Sequence, residues 1–579
     1  MAKGDYFQRA ESWLRGSFDD ATKEVVRNMM EHNLEELEEC FYKNLEFGTG
    51  GLRGIMGVGT NRMNRYTVGM ATQGLANYMK RCFAHLSQIK AVVAYDSRNL
   101  SAGFARITAE VFAANGFKVY LFDALRPTPE LSFTIRHLGC QSGVMITASH
   151  NPKEYNGYKA FWEDGAQVLA PHDEEIIKEV EKITDPTQVL FEGNREHIEI
   201  IGLEMDEIYL NTIQSLLNLS PQAIAKHGDI KIVYTPLHGT GVRLVPEALK
   251  RLGFGSIYHV PEQDVIDGDF PTLTSPNPED RAALEMALER AEEVQADIVM
   301  ATDPDADRLG IAVRDHTGVL QLLNGNQTAT ILTYYLLRRW KELGKLTGKE
   351  YIVKTIVTTD LLKQMADSFG VPCYNVLTGF KYIAEVQRLL EGKMTFIGGG
   401  EESYGYNAGS FVRDKDAVVS CSLVAEAAAW AAEQGKSLYG LLLDIYVEFG
   451  LFKEHLVSIT KKGIEGVAQI DAMMKRFRSA PPQTLGGAQV VLVHDYLLSE
   501  TIDLISDLRY VINLPKSNVI QFVTNDNAII SVRPSGTEPK IKFYIGLRGT
   551  LSQKSDYDSV SASLNDTFRE IEEELSFNP

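Results

Sequence analysis

Cysteine is scarce: five residues in 579, at Cys40, Cys82, Cys140, Cys373 and Cys421, far apart and with no C-x-x-C pair. That excludes a disulfide-stapled scaffold and a cysteine-based zinc module, and it points to a reducing compartment with buried thiols. Long apolar runs are missing as well. The best candidate, residues 417–432, is interrupted by Ser420, Ser422 and Glu426, so no transmembrane span is expected. Positive charge is in deficit, with 58 Lys plus Arg against 77 Asp plus Glu and a net charge of -19. Whole-surface attraction to nucleic acid or an anionic membrane is thereby excluded, and any anionic ligand must be drawn by a local cluster of cations. Tandem repeats and low-complexity tracts are absent. The amino terminus, with Lys3, Asp5, Arg9, Glu11 and Arg15 in quick succession, lacks the apolar core of a secretory signal. A cytoplasmic protein with neither membrane nor nucleic-acid partners is expected.

What is present is an ordinary globular composition, 44% hydrophobic and 23% charged. At roughly 150 residues per domain, the length predicts about four domains. Val25, Val26, Met29, Met30, Leu34 and Leu37 recur at helical spacing, with Asp20 placed to cap the run. From there, short apolar runs alternate with helical patterns at 91–94, 119–122 and 144–146, which argues for a parallel α/β sheet. The cadence restarts with runs at 230–233 and 298–300, and again at 352–357 and 395–397. Asn277-Pro278-Glu279 reads as an N-cap and first-turn proline of a helix carrying Leu284, Leu288 and Ala291. The last segment differs, with short strands around 490–493 and 529–532 before a helix bearing Val560, Leu564, Phe568, Ile571 and Leu575. The expected division is three α/β domains, 1–205, 206–322 and 323–455, and a smaller α+β domain, 456–579.

Four loops could carry chemistry. TASHNP at 147–152 follows an apolar run, where α/β folds place ligands, and sets the hydroxyl of Ser149 beside His150. Taken alone it also reads as a polar strand-to-turn loop, and adjacency decides nothing. DPDADR at 303–308 puts Asp303, Asp305 and Asp307 at alternate positions. Three carboxylates so close repel unless a cation separates them, and all-oxygen ligands favour Mg²⁺, Mn²⁺ or Ca²⁺ over zinc. An EF-hand is excluded, because its sixth and twelfth positions would be Arg308 and Arg314. A solvated acidic turn is the other reading. In GGGEESYG at 398–405, Glu401 and Ser403 could hold vicinal sugar hydroxyls, with Lys381 and Lys415 adding positive charge, although a Gly-rich turn has the same composition. RPSGTEPK at 533–540 offers Arg533, Ser535, Thr537 and the amides around Gly536 to a phosphate dianion, and equally suits a plain turn.

Together and in this order, the four loops resemble those of the α-D-phosphohexomutase family, in its bacterial phosphoglucomutase branch, which also opens with the FGTGGLRG found here at 47–54. The resemblance implies four domains around a central cleft, three similar α/β domains with mixed or parallel sheets and a mobile, smaller α+β fourth. It implies that Ser149 is carried as phosphoserine, with one Mg²⁺ per chain held by Ser149, Asp303, Asp305 and Asp307, and Arg308 offsetting charge. The implied reaction interconverts glucose 1-phosphate and glucose 6-phosphate through glucose 1,6-bisphosphate, which is also the activator. Mannose and pentose phosphates are the alternative substrates, and a catalytically silent sugar-phosphate sensor is the alternative class. By the same resemblance His150, Lys159 and Lys415 are the candidate acid and base, and Arg53 faces the phosphoserine. Thr378, Gly379, Lys381, Glu401 and Ser403 bind the sugar phosphate, and Arg533, Ser535, Gly536 and Thr537 its distal phosphate. Small-molecule sugar phosphates are the expected partners, of a monomer or homodimer.

Overall fold

A computed structural model describes residues 4–45, 51–219, 221–461, 463–535 and 540–575. Gly536 and Thr537, and residues 47–50 of the FGTGGLRG segment, lie outside the described residues. The chain divides into two compact units, Met1–Asn324 with Ala384–Gly398 and Ser403–Gln434, and Gly325–Ile383 with Gly399–Glu402 and Gly435–Pro579.

The first unit begins with three helices, Asp5–Arg15, Asp20–His32 and Leu34–Phe41. The helical pattern expected through Leu37 is therefore broken at Asn33, whose side chain caps the next helix through the N–H of Glu36. The cap of the second helix is Asp19, not Asp20. One Asp19 oxygen accepts from the N–H of Thr22 at 2.8 Å, the other from the Tyr66 hydroxyl at 2.6 Å. Trp13, Phe18, Phe41 and Tyr66 close a small aromatic core around this point.

Two mixed sheets follow. The first has six strands in the order Gly51–Ile55, Tyr155–Trp162, Ser142–Ile146, Lys90–Tyr95, Lys118–Phe122 and Ile198–Ile201. Its interior is parallel, as the continuous apolar runs predict for strands buried on both faces, and its first two strands run antiparallel to their neighbours. The second has five strands, with Ile298–Thr302 between Ile232–Thr235 and Leu309–Arg314. The helix after 280 starts at Arg281 with Asp280 as N-cap. Asn277 instead accepts from the N–H of Glu279 in a turn before it, which the Asp280 N–H closes onto the Asn277 carbonyl. Helix Thr128–Leu138 lies against strand Ser142–Ile146 at Gly143, where a Cβ would sit 2.5 Å from the Ile135 side chain. That close approach brings Thr128, at the helix start, to Asp305.

In the second unit, strand Glu350–Thr355 pairs in parallel with Cys373–Val376 among helices. An eight-stranded antiparallel sheet then runs from Leu451–Thr460 at one edge to Arg509–Val511 at the other. Helices Gly463–Ser479 and Tyr557–Glu574 contribute Met474, Phe477, Phe568 and Ile571 to its core, against Phe522, Ile530 and Phe543. The expected carboxyl-terminal helix and α+β character are both observed. Among the described residues no helix is long and apolar enough to cross a membrane.

Candidate active site

Ser149 caps the carboxyl end of strand Ser142–Ile146 in a left-handed conformation, φ 53°. Few non-glycine residues adopt that region, and here Thr147 holds the turn by accepting the N–H of Ser149 at 2.8 Å. The buried Ser149 hydroxyl donates to Oδ2 of Asp303 at 2.7 Å and lies 3.1 Å from Nδ1 of His150. Residues 154 apart in sequence are thus in contact.

Asp303, Asp305 and Asp307 line the turn between Ile298–Thr302 and Leu309–Arg314, with Ala306 at φ 50° reversing the chain. All three are buried, and each offers an oxygen within 4.8 Å of the others. Oδ1 of Asp303 accepts the N–H groups of Asp307 and Arg308. Asp305 accepts from the hydroxyl of Thr128 and from Lys159, both at 2.7 Å, and Thr128 also donates its N–H to the Asp305 carbonyl. Asp307 meets Lys159 and Lys415, each at 3.2 Å. Burial, then repulsion from Asp305 and Asp307, pushes Asp303 well above the usual carboxylate range. Asp307 goes the other way: burial opposes its charge, but the Lys415, Lys159 and Arg308 cations outweigh it and hold the pKa down. Lys159 is likewise disfavoured by burial and raised on balance by Asp305 and Asp307, so it is an ammonium at neutral pH. His150 is half-buried, and burial together with Arg308 and Arg53 lowers its pKa well below the ordinary histidine value.

Two oxygens test whether this cluster fits a cation. Oδ1 of Asp305 and Oδ1 of Asp307 are buried and without a hydrogen-bond partner among the described residues. Buried unsatisfied carboxylate oxygens are costly, and a hard cation is the partner that an all-oxygen donor set accommodates. The residues fit a metal ion.

The remaining expected residues fall into two groups. Within the first unit, Lys415 follows Asp414, to which it also bonds at 3.1 Å, and Ala417 at the start of the next helix donates its N–H to the carbonyl of Ala306 in the metal loop. Arg53, on strand Gly51–Ile55, donates to Oδ1 of Asn151. Arg308 is paired with Glu279 at 2.7 Å. The turn through Ser403 is tied to the metal loop by the Tyr404 carbonyl, which accepts from the N–H of Leu309. In the second unit, Thr378 and Gly379, the latter at φ 118°, precede helix Phe380–Leu390 with Lys381 in its first turn. The Thr378 hydroxyl is buried without a partner among the described residues. Glu401 ends strand Thr395–Glu401, and Arg533 lies on Ile529–Pro534 with the Ser535 N–H bonded to the Lys540 carbonyl. Burial raises the Tyr544 pKa, Glu402 and Glu401 raise it further, and Arg533 opposes them, so one tyrosine faces both loops.

Sequence reasoning missed Thr128, Asp414, Glu279, Tyr544 and Arg98. Arg98 had a readable signal, since Asp96-x-Arg98 follows the apolar run 91–94 just as the serine loop follows the run 144–146.

A serine hydroxyl set against a buried carboxylate cradle, flanked by lysines and carried on mixed α/β sheets, has the donor set that metal-assisted phosphoryl transfer uses. Comparison with known proteins narrows the class. Models of phosphoglucomutase/phosphomannomutase α/β/α domains I, II and III match residues 44–187, 207–318 and 324–449. The chain is 39% identical over 558 residues to a phosphoglucomutase of Staphylococcus aureus (strain MRSA252), covering 96% of this chain and 97% of that protein. The fold is similar to that of the phosphoglucomutase pp63/parafusin from Paramecium in its open form, with 17% identity, TM-score 0.69, and 92% and 95% of the two chains covered. It is also similar to a phosphoglucomutase/phosphomannomutase family protein from Burkholderia thailandensis, with 18% identity, TM-score 0.62, and 92% and 98% covered. The chain belongs to the phosphoglucomutase/phosphomannomutase family, and its three α/β/α domains are followed by a further sheet domain.

Proposed function

We propose that the protein is a phosphoglucomutase, which interconverts glucose 1-phosphate and glucose 6-phosphate through a phosphorylated Ser149 and glucose 1,6-bisphosphate. The observation that carries the reading is the 2.7 Å contact between the Ser149 hydroxyl and Asp303 inside a buried three-aspartate cluster. The 39% identity to a phosphoglucomutase over nearly the full length supports the choice of sugar.

Ser149 carries the phosphoryl group. In the forward direction the P–O bond to Ser149 Oγ breaks as one forms to the free 6-hydroxyl of glucose 1-phosphate, whose proton leaves to a base. After the bisphosphate turns over, Ser149 accepts the other phosphoryl group and glucose 6-phosphate departs. Asp303, Asp305, Asp307 and Ser149 would hold the metal ion, which we assign as Mg²⁺; when bound, it would supply Lewis-acid stabilisation of charge on the transferring phosphoryl group. Lys159 and Lys415 keep the carboxylates in place and add positive charge beside the dianion. Proton transfer at the sugar hydroxyl falls to one of His150, Lys159 and Lys415, with Lys159, an ammonium at neutral pH, fitted to the acid that serves the reverse step, and their single alanine variants separate the three. Arg53 and Arg308 flank the phosphoserine. Glu401 and Ser403 hold sugar hydroxyls, with Thr378, Gly379 and Lys381 beside them, and Arg533, Ser535, Gly536 and Thr537 take the second phosphate. We retain the domain boundaries at 205, 322 and 455. Five free thiols support a cytoplasmic setting.

Phosphorus NMR of the protein with Mg²⁺, glucose 1-phosphate and a trace of glucose 1,6-bisphosphate tests the proposal. The expected result is conversion to the 6-phosphate that disappears in Ser149→Ala; release of inorganic phosphate alone would sink it. Repeating the measurement with mannose 1-phosphate ranks the two sugars that the family's description names.

A further inference from the structure

The loop that presents Ser149 is closed by one side chain from a neighbouring strand. Arg98 lies just beyond strand Lys90–Tyr95, and its side chain is fully buried. Its Nη2 donates to the carbonyl oxygen of Ser149 at 2.6 Å and to that of Asn151, and its Nη1 to those of Pro152 at 2.8 Å and Tyr155 at 3.0 Å. Behind the guanidinium, Asp96 approaches Nε at 3.3 Å, and this carboxylate is itself fixed by the N–H of Arg98 and the hydroxyl of Ser101. The ring of Phe270, from the segment before helix Arg281–Val294, covers the guanidinium at 5.2 Å.

Four carbonyl oxygens directed at one point repel each other unless a donor stands between them; that of Ser149 is buried, and that of Pro152 also accepts the N–H of Tyr155. A planar guanidinium with several N–H groups in a fixed fork can serve all four, whereas an ammonium has three donors on a flexible stem. The residue so clamped includes Ser149 itself, at a backbone angle that serine seldom adopts without outside constraint. We infer that Arg98 is the positioning residue of the phosphoryl-carrying serine: it holds the 149–155 backbone in the one shape that aims Oγ at the metal cluster. It touches no reacting atom. The inference rests on the reading of Ser149 as the phosphoryl carrier.

The test compares wild type, Ser149→Ala, Arg98→Lys and the double variant Asp96→Asn/Arg98→Gln. The double variant leaves no unpaired buried charge and so keeps the experiment alive if Arg98→Lys does not fold. Steady-state kinetics with glucose 1-phosphate are read beside mass-spectrometric amide exchange over the six-stranded sheet. Expected for both Arg98 variants is a kcat about 100-fold lower, of the size that a misaimed nucleophile costs, with KM within about twofold. Amide exchange should quicken at 147–155 and stay unchanged in strands Lys90–Tyr95 and Lys118–Phe122. A kcat within about twofold of wild type overturns the inference, and so does exchange that rises through the whole sheet, which marks a stability role alone. Inactivity of the wild type, or full activity of Ser149→Ala, instead defeats the reading of Ser149, and the exchange pattern still decides whether Arg98 holds the loop.

Discussion

Thr128 shows what a single side chain contributes at this site. Its hydroxyl and its N–H both bind Asp305, one at the carboxylate and one at the carbonyl, while the other carboxylate oxygen is left for a cation. Outer partners of this kind fix the ligand's orientation, and their loss costs about 10- to 100-fold in metal affinity. Thr128→Val is therefore expected to weaken Mn²⁺ binding about tenfold by calorimetric titration, with the thermal midpoint little changed, since valine fills the same volume. Removing metal with a chelator should abolish turnover and Mg²⁺ should restore it; turnover that survives exhaustive chelation would remove the carboxylates from the mechanism.

At the scale of elements, caps decide where helices begin and couple them to distant strands. Asp19 receives both the Thr22 N–H and the Tyr66 hydroxyl, so Asp19→Ala should destabilise the amino-terminal helices by about 1 kcal/mol or somewhat more, seen as a shift in denaturant midpoint. Asp416 is the cap of helix Ala417–Glu433 and accepts from Val419 N–H and from the Tyr209 hydroxyl at 2.6 Å. Burial raises its pKa from 3.8 to about 6, with the Tyr209 and Val419 hydrogen bonds opposing. The folded protein thus holds this proton more tightly than the unfolded chain, so its contribution to stability is complete below pH 3.8 and is lost as pH rises through about 6. The loss amounts to roughly 3 kcal/mol at most. Asp416→Asn should flatten that part of the stability profile relative to wild type; identical slopes between pH 4 and 6 would show that Asp416 does not titrate there.

At the scale of the whole molecule, each unit has a core cluster of its own among the described residues. Phe522, Ile530 and Phe543 share a cluster with Met474 and Ile571 in the second unit, while Val93, Phe112, Val144 and Ile146 build the first sheet's core. Phe543→Ala should cost about 3 to 5 kcal/mol and move one of two calorimetric transitions, leaving the other in place. A uniform shift of a single transition would mean that the units unfold together. Reductant should leave the midpoints unchanged, because all five cysteines are free.

Much of this was legible in the chain. Strands Lys90–Tyr95, Ser142–Ile146 and Ile298–Thr302 read as apolar runs because a parallel strand covered on both faces has no polar face to show. The three alternate aspartates pointed to a cation site, because like charges at that spacing repel unless a cation separates them, and the structure brings all three together, buried. Capping was read less well: Asp19 displaced Asp20, and Asn277 served a turn, because a cap is chosen by which donor faces it and several candidates stood within two residues. The sequence by itself determined the local chemistry of each loop, since residue type and neighbours set donors, charge and turn preference. Only the tertiary structure decided which loops meet. Ser149 reaches Asp303 because the ends of two strands in different sheets face each other. Lys159 stands over Asp305 because an antiparallel neighbour of the serine strand carries it there. Arg98 closes the serine loop from the adjoining parallel strand, and no spacing along the chain encodes that crossing, which follows from strand order and the packing of one sheet on its helices.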